Sequence, residues 1–338
     1  MSAKADIGQR DIGHRMRIQQ NIMRYFSFSA IIILIIGFTA LQPRFLGAAN
    51  LKTLLGDSAP LIIMASGMTA ILLLGSIDLS MGSACSVANV LVVVVINKLG
   101  PSIGSPVVTA FLALLVALAF GAIAGLILGV IHVKFKVPSF IASLAFMALW
   151  QSVALLISAA PESVARAMWG SVNWFKITFG VIGLSLILAL LAVAVLYFLQ
   201  NRTTMGRALY AIGGNERASR LAGIQVDKVK IIFFVINGMC AALGGYFLAA
   251  KLVSSAPKIG DPFTLLIVAS VALGGTALTG GRGHILGTLL GVFIVSIIQN
   301  GMNFIGVDAY WQNIVFGIFI LAAVAISVDR SARGLIIK

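Results

Sequence analysis

Charged residues are scarce in this sequence. Only 10% of its 338 residues are Asp, Glu, Lys or Arg, against about 25% in soluble domains, whereas 60% are hydrophobic and the mean hydropathy is +1.07. Many apolar runs approach the roughly 20 residues that cross a bilayer. The composition excludes an ordinary soluble protein. It predicts an all-α integral membrane protein, because backbone that faces lipid must satisfy its own hydrogen bonds.

The residue types that build most catalytic and metal sites are also few. There are 10 acidic residues, 3 histidines and 2 cysteines. Cys85 and Cys240 lie inside apolar runs, and no G-x-S-x-G, H-E-x-x-H or Walker-type G-x-x-x-x-G-K-[ST] motif is present. We therefore expect no catalytic residue, no metal site and no bound cofactor. If the chain belongs to a pump, another subunit or an ion gradient supplies the energy.

The sequence carries 24 basic residues and a net charge of +14, but the basic residues are scattered between apolar runs. This scatter argues against a nucleic-acid partner and is typical of the positive-inside bias of membrane proteins. Placing the N-terminus in the cytoplasm puts 17 of the 24 basic residues on the cytoplasmic side. We predict a multi-pass membrane protein with a cytoplasmic segment at 1–24, one transmembrane domain at 25–330 and a cytoplasmic tail at 331–338.

Ten apolar segments predict about ten transmembrane or partly spanning helices, with broken or re-entrant elements among them. Segment 263–276 is shorter than a full span and is expected to be a half-helix or a re-entrant element. The exterior stretch 159–177 is interpreted as a helix on the membrane surface rather than a substrate lid, because its Trp169 and Trp174 suit an aromatic belt. The segments are 25–43, 59–75, 82–98, 107–131, 138–158, 178–200, 230–253, 263–276, 284–304 and 310–328.

Two glycine-containing turns resemble each other. Segment 75–83 reads GSIDLSMGS and segment 274–283 reads GGTALTGGRG, which aligns Gly75 with Gly274 and Gly82 with Gly281 without a gap. This pattern indicates a duplicated helix–break–helix unit of the kind found near transporter substrate paths. Chance similarity between two Gly-rich turns is the alternative.

Asp78 lies between apolar runs with no other carboxylate between positions 57 and 162. An ionisable group at membrane depth is by default a functional candidate. However, Asp78 or Ser80 also suits the cap of the following helix, and we favour that role over direct contact with substrate. Glycines spaced by four also predict two close helix contacts. These ladders are Gly121, Gly125 and Gly129, and Gly283, Gly287 and Gly291.

The loop 201–230 is the one long charged stretch inside the apolar sequence. After a break at Gly213 and Gly214, Asn215 is predicted to cap a short helix that Gly223 ends. Its apolar stripe of Ala218, Leu221 and Ala222 is flanked by Arg217 and Arg220. So short a helix buries little area alone, so we favour docking into a groove of a soluble partner over lying on the membrane surface.

Uncharged polar and aromatic residues inside the apolar segments are candidates for the substrate path. Amides offer a donor and an acceptor together, which suits hydroxyl-rich ligands, and aromatic rings stack on sugars. Helix-to-helix hydrogen bonds and core packing are the more common roles of such residues. The candidates are Asn89, Phe146, Gln151, Asn300 and Asn303.

Three motifs resemble the permease subunits of bacterial monosaccharide ABC importers of the ribose and xylose type. They are 75–82 (GSIDLSMG), the stretch from Gly206 to Ile224, and 273–283, in matching order over roughly 50–328. Ser76 stands where the family usually has Gly, and Met81 where Val is common, which leaves the gate geometry and the substrate open. The resemblance implies a multi-pass permease of the bacterial inner membrane whose coupling loop is 201–230. It also implies import of a monosaccharide, ribose-like or xylose-like, or of a related polyol by alternating access.

The resemblance also implies partners and roles. A second permease copy or a paralogue completes the pathway, a cytoplasmic tandem-domain ATPase uses ATP and Mg, and a periplasmic binding protein delivers the sugar. The alternatives are the same importer class with another solute (nucleoside, autoinducer or branched-chain amino acid) and an ion-coupled secondary transporter, which the scarcity of intramembrane carboxylates disfavours. The implied coupling helix comprises Gly213, Gly214, Asn215, Glu216, Arg217, Ala218, Arg220, Leu221 and Gly223, and the implied gate turns comprise Asp78, Ser80, Gly82, Gly274, Gly275, Gly280 and Gly281.

Overall fold

The computed structural model describes residues 28–327, and most of them are helical. The predicted terminal segments 1–24 and 331–338 lie outside the described residues. The long elements are α1 (Phe28–Leu41), α2 (Ala48–Leu73), α3 (Met81–Ile103), α4 (Pro106–Lys134), α5 (Ser139–Ile157), α6 (Leu184–Arg202), α7 (Thr204–Gly214), α8 (Glu216–Leu221), α9 (Val226–Leu252), α10 (Asp261–Leu273), α11 (Ile285–Phe304) and α12 (Ala309–Ser327).

Short elements join these helices. Two-residue strands form two antiparallel pairs, β1 with β4 and β2 with β3. Three 3-10 helices cover Pro43–Leu46, Arg166–Ser171 and Asn173–Lys176. The strands are β1 (Glu162–Ser163), β2 (Thr178–Phe179), β3 (Ile182–Gly183) and β4 (Ser254–Ser255).

Each of the ten predicted apolar segments contains a helix, which confirms the all-α membrane fold. Within residues 28–327, 7 helices are long and apolar enough to cross a membrane. Helix α10 has 13 residues and is about 20 Å long, which confirms that segment 263–276 is too short to span.

Helix α2 begins at Ala48, well before the predicted start at 59. Lys52, Asp57 and Pro60 concealed this part of the helix in the sequence. Asp57 is paired with Lys251 of α9, with 2.8 Å between the carboxylate and ammonium groups. The ion pair and the packing of α2 at the centre of the bundle, against α6, α9 and α11, explain why a polar first half remains helical.

The first glycine ladder marks a close helix contact, as predicted, whereas the second does so only at Gly287 and Gly291. Gly283 lies before α11 begins at Ile285, so its place in a helical stripe was predicted wrongly. Gly121 of α4 lies against Gly238 of α9, and an added Cβ at Gly121 would come within 2.7 Å of the Ala242 Cβ. Gly287 of α11 packs in the same way on Gly274 at the end of α10. Small residues let these backbones approach closely enough for the helices to hold each other by van der Waals contact.

The chain returns into the bundle after α2. Asp78, in the connection to α3, contacts Asn237 near the middle of α9, so α3 begins at that level rather than at a helix end. Gly82 in the first turn of α3 packs backbone to backbone on Gly260, directly before α10. The amide of Gly260 also donates to the Ser86 hydroxyl at 2.9 Å. Helices α3 and α10 therefore start beside each other inside the bundle.

Segment 159–177 is not the surface-lying helix that we predicted. It contains β1 and two 3-10 helices, and its Val164, Met168 and Val172 are buried. The ring of Trp174 stacks on Tyr246 of α9 with centroids 5.4 Å apart. Protein contacts, rather than anchoring in the lipid interface, hold this segment against the ends of α3, α4 and α9.

Candidate functional site

The two glycine turns have the same backbone structure. Gly75 has φ +73° and Gly275 has φ +83°, a left-handed conformation that favours glycine. The Gly75 amide donates to the Leu72 carbonyl (2.9 Å) and the Gly275 amide to the Ala272 carbonyl (3.0 Å). The next amide donates one residue further back in each turn, as in a Schellman-type helix end. The duplicated break is therefore present, but the proposed alignment was wrong by one residue, because the left-handed glycine is Gly275 and not Gly274.

The two breaks touch each other. The amide of Gly281 donates to the carbonyl of Leu73 at 2.9 Å. An added Cβ at Gly280 would lie 2.8 Å from the backbone nitrogen of Gly75. The predicted gate turns 75–82 and 274–281 thus meet backbone to backbone where α2 and α10 end.

Asp78 is buried and fully engaged within the protein. One carboxylate oxygen accepts hydrogen bonds from the amide (2.9 Å) and hydroxyl (2.6 Å) of Ser80, and the other accepts from the Asn237 amide at 2.8 Å. Ser80 is the N-cap residue of α3, but its side chain makes no capping bond. The Asp78 carboxylate instead holds the connection that precedes the helix, which favours the structural interpretation over contact with substrate.

The predicted coupling segment lies directly on the paired breaks. Helix α7 continues through Gly213 and ends at Gly214, with Asn215 as its C-cap, so the predicted interruption before these glycines is wrong. An added Cβ at Gly213 would overlap the carbonyl oxygen of Leu73 and lie 2.5 Å from the amide of Gly281. These are the two atoms whose hydrogen bond joins the breaks. We call Leu73, Gly75, Gly213, Gly280 and Gly281 the break cluster.

Helix α8 has the ends that the sequence predicts. The side-chain oxygen of Asn215 accepts the amide of Ala218 at 3.0 Å, which confirms Asn215 as the N-cap. Gly223 has φ +82°, and the amide of Ile224 donates to the Ser219 carbonyl at 3.0 Å, as in a glycine C-cap. The helix itself has only 6 residues.

An ion-pair network fixes α8 to the start of α9. Glu216 accepts from Arg220 at 3.0 Å and from Lys230 at 2.7 Å, and Arg220 also pairs with Asp227. Partial burial alone would raise the pKa of Glu216, but the two cationic partners lower it overall. The side chain of Lys230 is only 10% exposed, so its pairing with Glu216 is the most shielded link. Arg220 therefore has an internal role in addition to any role at a surface.

The other face of α8 has no covering element among residues 28–327. Leu221 is 84% exposed, and Ala218, Ala222 and Arg217 are exposed as well. Beside α8, a cavity of about 490 Å³ opens between the α4–α5 connection and the network. An apolar tip with an adjacent basic residue and a neighbouring cleft is a surface that a protein partner can cover.

The predicted substrate-path residues lie on three helices, α3, α5 and α11, and each has a contact within the protein. Asn89 accepts the amide of Ala256 at 2.9 Å, and Gln151 donates to Asp261 at 2.7 Å. Asn300 exchanges two hydrogen bonds with Asn50, at 2.9 and 3.1 Å. Their roles in transport stay predictions. The two remaining contacts are Asn303 with Gln312 (2.7 Å) and Phe146 stacked on Trp150 (5.7 Å).

Two residues that link the site together were missed in the sequence. Gln200, in the last turn of α6, and Tyr210, in α7, bond to each other, and they also bond to the backbone of Ile285 and Gly283 at the start of α11. Their only signal was an amide at the end of an apolar run and one tyrosine in an otherwise aliphatic stretch. That signal could not be distinguished from ordinary interface residues.

Comparison with known proteins gives the family. Residues 50–324 match the family described as branched-chain amino acid transport system / permease component, and this range contains both breaks and the coupling segment. The chain belongs to this permease family. It is 37% identical to the ribose import permease protein RbsC of Escherichia coli K12 over 318 residues, 93% of this chain and 96% of that protein.

Two further relatives also match over most of their length. The permease is 36% identical to the ribose import permease protein of Bacillus subtilis strain 168, over 90% of this chain and 92% of the relative. It is 31% identical to the galactose/methyl galactoside import permease protein of Escherichia coli K12, over 86% and 90%. The permease is accordingly a multi-pass membrane transport protein.

Proposed function

We propose that this permease is the transmembrane subunit of an ATP-driven importer of a monosaccharide. ATP and Mg are used by a separate cytoplasmic ATPase, which docks on α8. The observation that carries this proposal is the exposed tip of α8, at Arg217 and Leu221, on a segment whose Gly213 lies on both helix breaks.

The proposed mechanism is alternating access. A displacement of α8 by the ATPase moves α7, and α7 lies on the hydrogen bond between Gly281 and Leu73. Because both breaks meet there, one displacement reaches α2, α3, α10 and α11 together. The nucleotide drives transport only if the ATP-bound partner contacts the inward-open and outward-open states with different affinity.

The proposed substrate rests on the relatives, whose names specify ribose and galactose or methyl galactoside. The remaining assembly is part of the proposal: a second permease copy or a paralogue, and a periplasmic sugar-binding protein on the opposite side. We place the α7–α8 side in the cytoplasm together with both termini, following the distribution of basic residues.

The test is purification from native membranes in mild detergent, followed by reconstitution into vesicles that enclose ATP. A co-purified ATPase, and uptake of labelled ribose or galactose that requires both ATP and the binding protein, would support the proposal. ATP-dependent uptake of a nucleoside or a branched-chain amino acid, with no sugar uptake, would overturn the substrate but not the importer class. Uptake without ATP that an ionophore abolishes would overturn both.

A further inference from the structure

A chain of hydrogen bonds connects α6, α7 and the start of α11. The Gln200 amide donates to the Tyr210 hydroxyl at 2.7 Å, and that hydroxyl donates to the Gly283 carbonyl at 2.8 Å. The side-chain oxygen of Gln200 accepts the amide of Ile285 at 3.2 Å. We call segment 75–83 the first break and segment 274–283 the second break. Gln200 and Tyr210 thus hold both ends of one short stretch, from Gly283 at the end of the second break to Ile285, the first residue of α11.

These hydrogen bonds supply partners to backbone groups at the start of α11 that have none within the helix. The amide of Ile285 is one of the first four in the helix, which have no intrahelical acceptor. Gln200 is buried, so water cannot readily replace its bonds. If α7 moved away from α11, the partly buried Tyr210 hydroxyl and Gly283 carbonyl would lose each other as partners, and the hydrogen bond from Gln200 to Tyr210 would be strained or lost as well. The geometry therefore favours α7 and the start of α11 moving as one unit.

The first break is held differently. There the backbone of Gly213 lies against the Leu73 carbonyl, and no side-chain hydrogen bond between α7 and the first break is described within residues 28–327. A change at Tyr210 or Gln200 consequently acts on the second break and leaves the contact with the first break unchanged. The two connections can be separated by mutation.

We propose that Gln200 and Tyr210 are positioning residues that pass the displacement of α8 to the second break and to α11. This inference rests on the proposed ATP-driven function and specifies which side chains couple it. Neither residue touches the substrate or the nucleotide in this role. Their loss uncouples hydrolysis from transport instead of abolishing either step.

The test variant is Tyr210→Phe in the complete reconstituted transporter. The substitution keeps the ring and removes the hydroxyl shared by two hydrogen bonds. We expect ATP hydrolysis per assembled complex to persist and the number of solute molecules imported per ATP to fall about three- to tenfold. In the purified permease, amide exchange of 283–288 should rise as well. Tyr197→Phe is the matched control, because Tyr197 is an exposed tyrosine on α6.

Gln200→Met provides a second route if Tyr210→Phe does not assemble. It keeps the length of the side chain and removes both of its hydrogen bonds, so the same fall in solute per ATP is expected. The double variant should be no worse than the more affected single variant, because both act on one chain of bonds.

Two results would overturn the inference while the proposed function stands. One is an unchanged solute-per-ATP ratio in both variants of an active transporter. The other is a proportional loss of uptake and hydrolysis, which a purely structural role predicts. Absence of ATP-dependent uptake in the unmodified transporter would instead contradict the proposed function, and the inference would fall with it.

Discussion

At the scale of single residues, the two arginines of α8 have different surroundings. Arg220 is bonded to Glu216 and Asp227, whereas Arg217 is exposed and makes no described ion pair within residues 28–327. We expect Arg217→Glu to weaken ATPase binding at least tenfold without changing thermal stability in detergent, because charge reversal at an interface introduces repulsion. The measurement is the affinity of the purified ATPase for the permease.

Arg202→Glu is the matched control for this prediction. Arg202 is also exposed on the same side, at the end of α6, but it lies outside α8. If both reversals weaken the ATPase equally, binding depends on the overall charge of this side and not on docking at α8.

Asp78 also gives a prediction at this scale. The side-chain oxygen of Asn237 is buried without a described hydrogen bond. If that amide flipped, its oxygen could accept a hydrogen bond from a new amide group at position 78. We therefore expect Asp78→Asn to keep ATP-driven uptake within about threefold of the unmodified level. Asp78→Leu removes the hydrogen bonds, and we expect it to reduce the amount of assembled complex strongly. Uptake and the amount of purified complex measure the two effects. Complete loss of uptake in well-assembled Asp78→Asn would instead favour a carboxylate-dependent, ion-coupled carrier.

At the scale of helices, neighbouring glycines at the end of α7 provide a matched pair. A methyl group at Gly213 would overlap the Leu73 carbonyl, whereas one at Gly214 would have nothing within 4 Å. We expect Gly213→Ala to separate α7 from the breaks and reduce uptake at least tenfold, and Gly214→Ala to be nearly neutral. Uptake per assembled complex measures this. Equal activity of the two variants would contradict the contact between α7 and the break cluster.

The attachment of α8 to α9 should depend on pH. The pKa of Glu216 is below its ordinary value of 4.5, so its ion pairs stabilise the folded arrangement above that value and are lost as the pH falls through the lowered pKa. A spin label at Arg217→Cys should stay immobile from neutral pH to about 4.5 and become mobile below it. Adding Glu216→Gln should make the label mobile already at pH 7. A label that is equally immobile in this variant would show that the network does not hold α8.

The elements were more predictable than their contacts. All ten apolar segments, the caps at Asn215 and Gly223 and the close helix contacts at Gly121 and Gly287 follow from local patterns of hydropathy and residue type. The start of α2 was missed because its polar residues are compensated by a partner about 190 positions away, Lys251. The one-residue error between Gly274 and Gly275 has a related cause: only the backbone shows which of two adjacent glycines is left-handed. The meeting of both breaks with Gly213 depends entirely on tertiary packing, for which no local signal exists.

At the scale of the whole molecule, the segments that connect the helices form two groups. In one group, the two breaks contact each other and the start of α5, and the α4–α5 connection lies beside α8. The other group contains β1 and β4, which pair with each other. We expect Arg217→Cys to react with a membrane-impermeant maleimide only in inside-out vesicles, and Lys176→Cys only in right-side-out vesicles. Cys85 and Cys240 are buried and should not contribute. Labelling of both positions from the same side would contradict the proposed topology.

The short α10 also has a consequence for how the protein enters the membrane. Thirteen residues are too few to hold a helix across a bilayer by their own hydrophobicity, and the approach to α10 depends on Asn89 and Ser86 of α3 for hydrogen bonds at Ala256 and Gly260. These partners are synthesised roughly 170 residues earlier. Stable insertion of α10 therefore requires that α3 already be in the bilayer and still accessible, so biogenesis of this protein cannot proceed as the independent insertion of one helix after another.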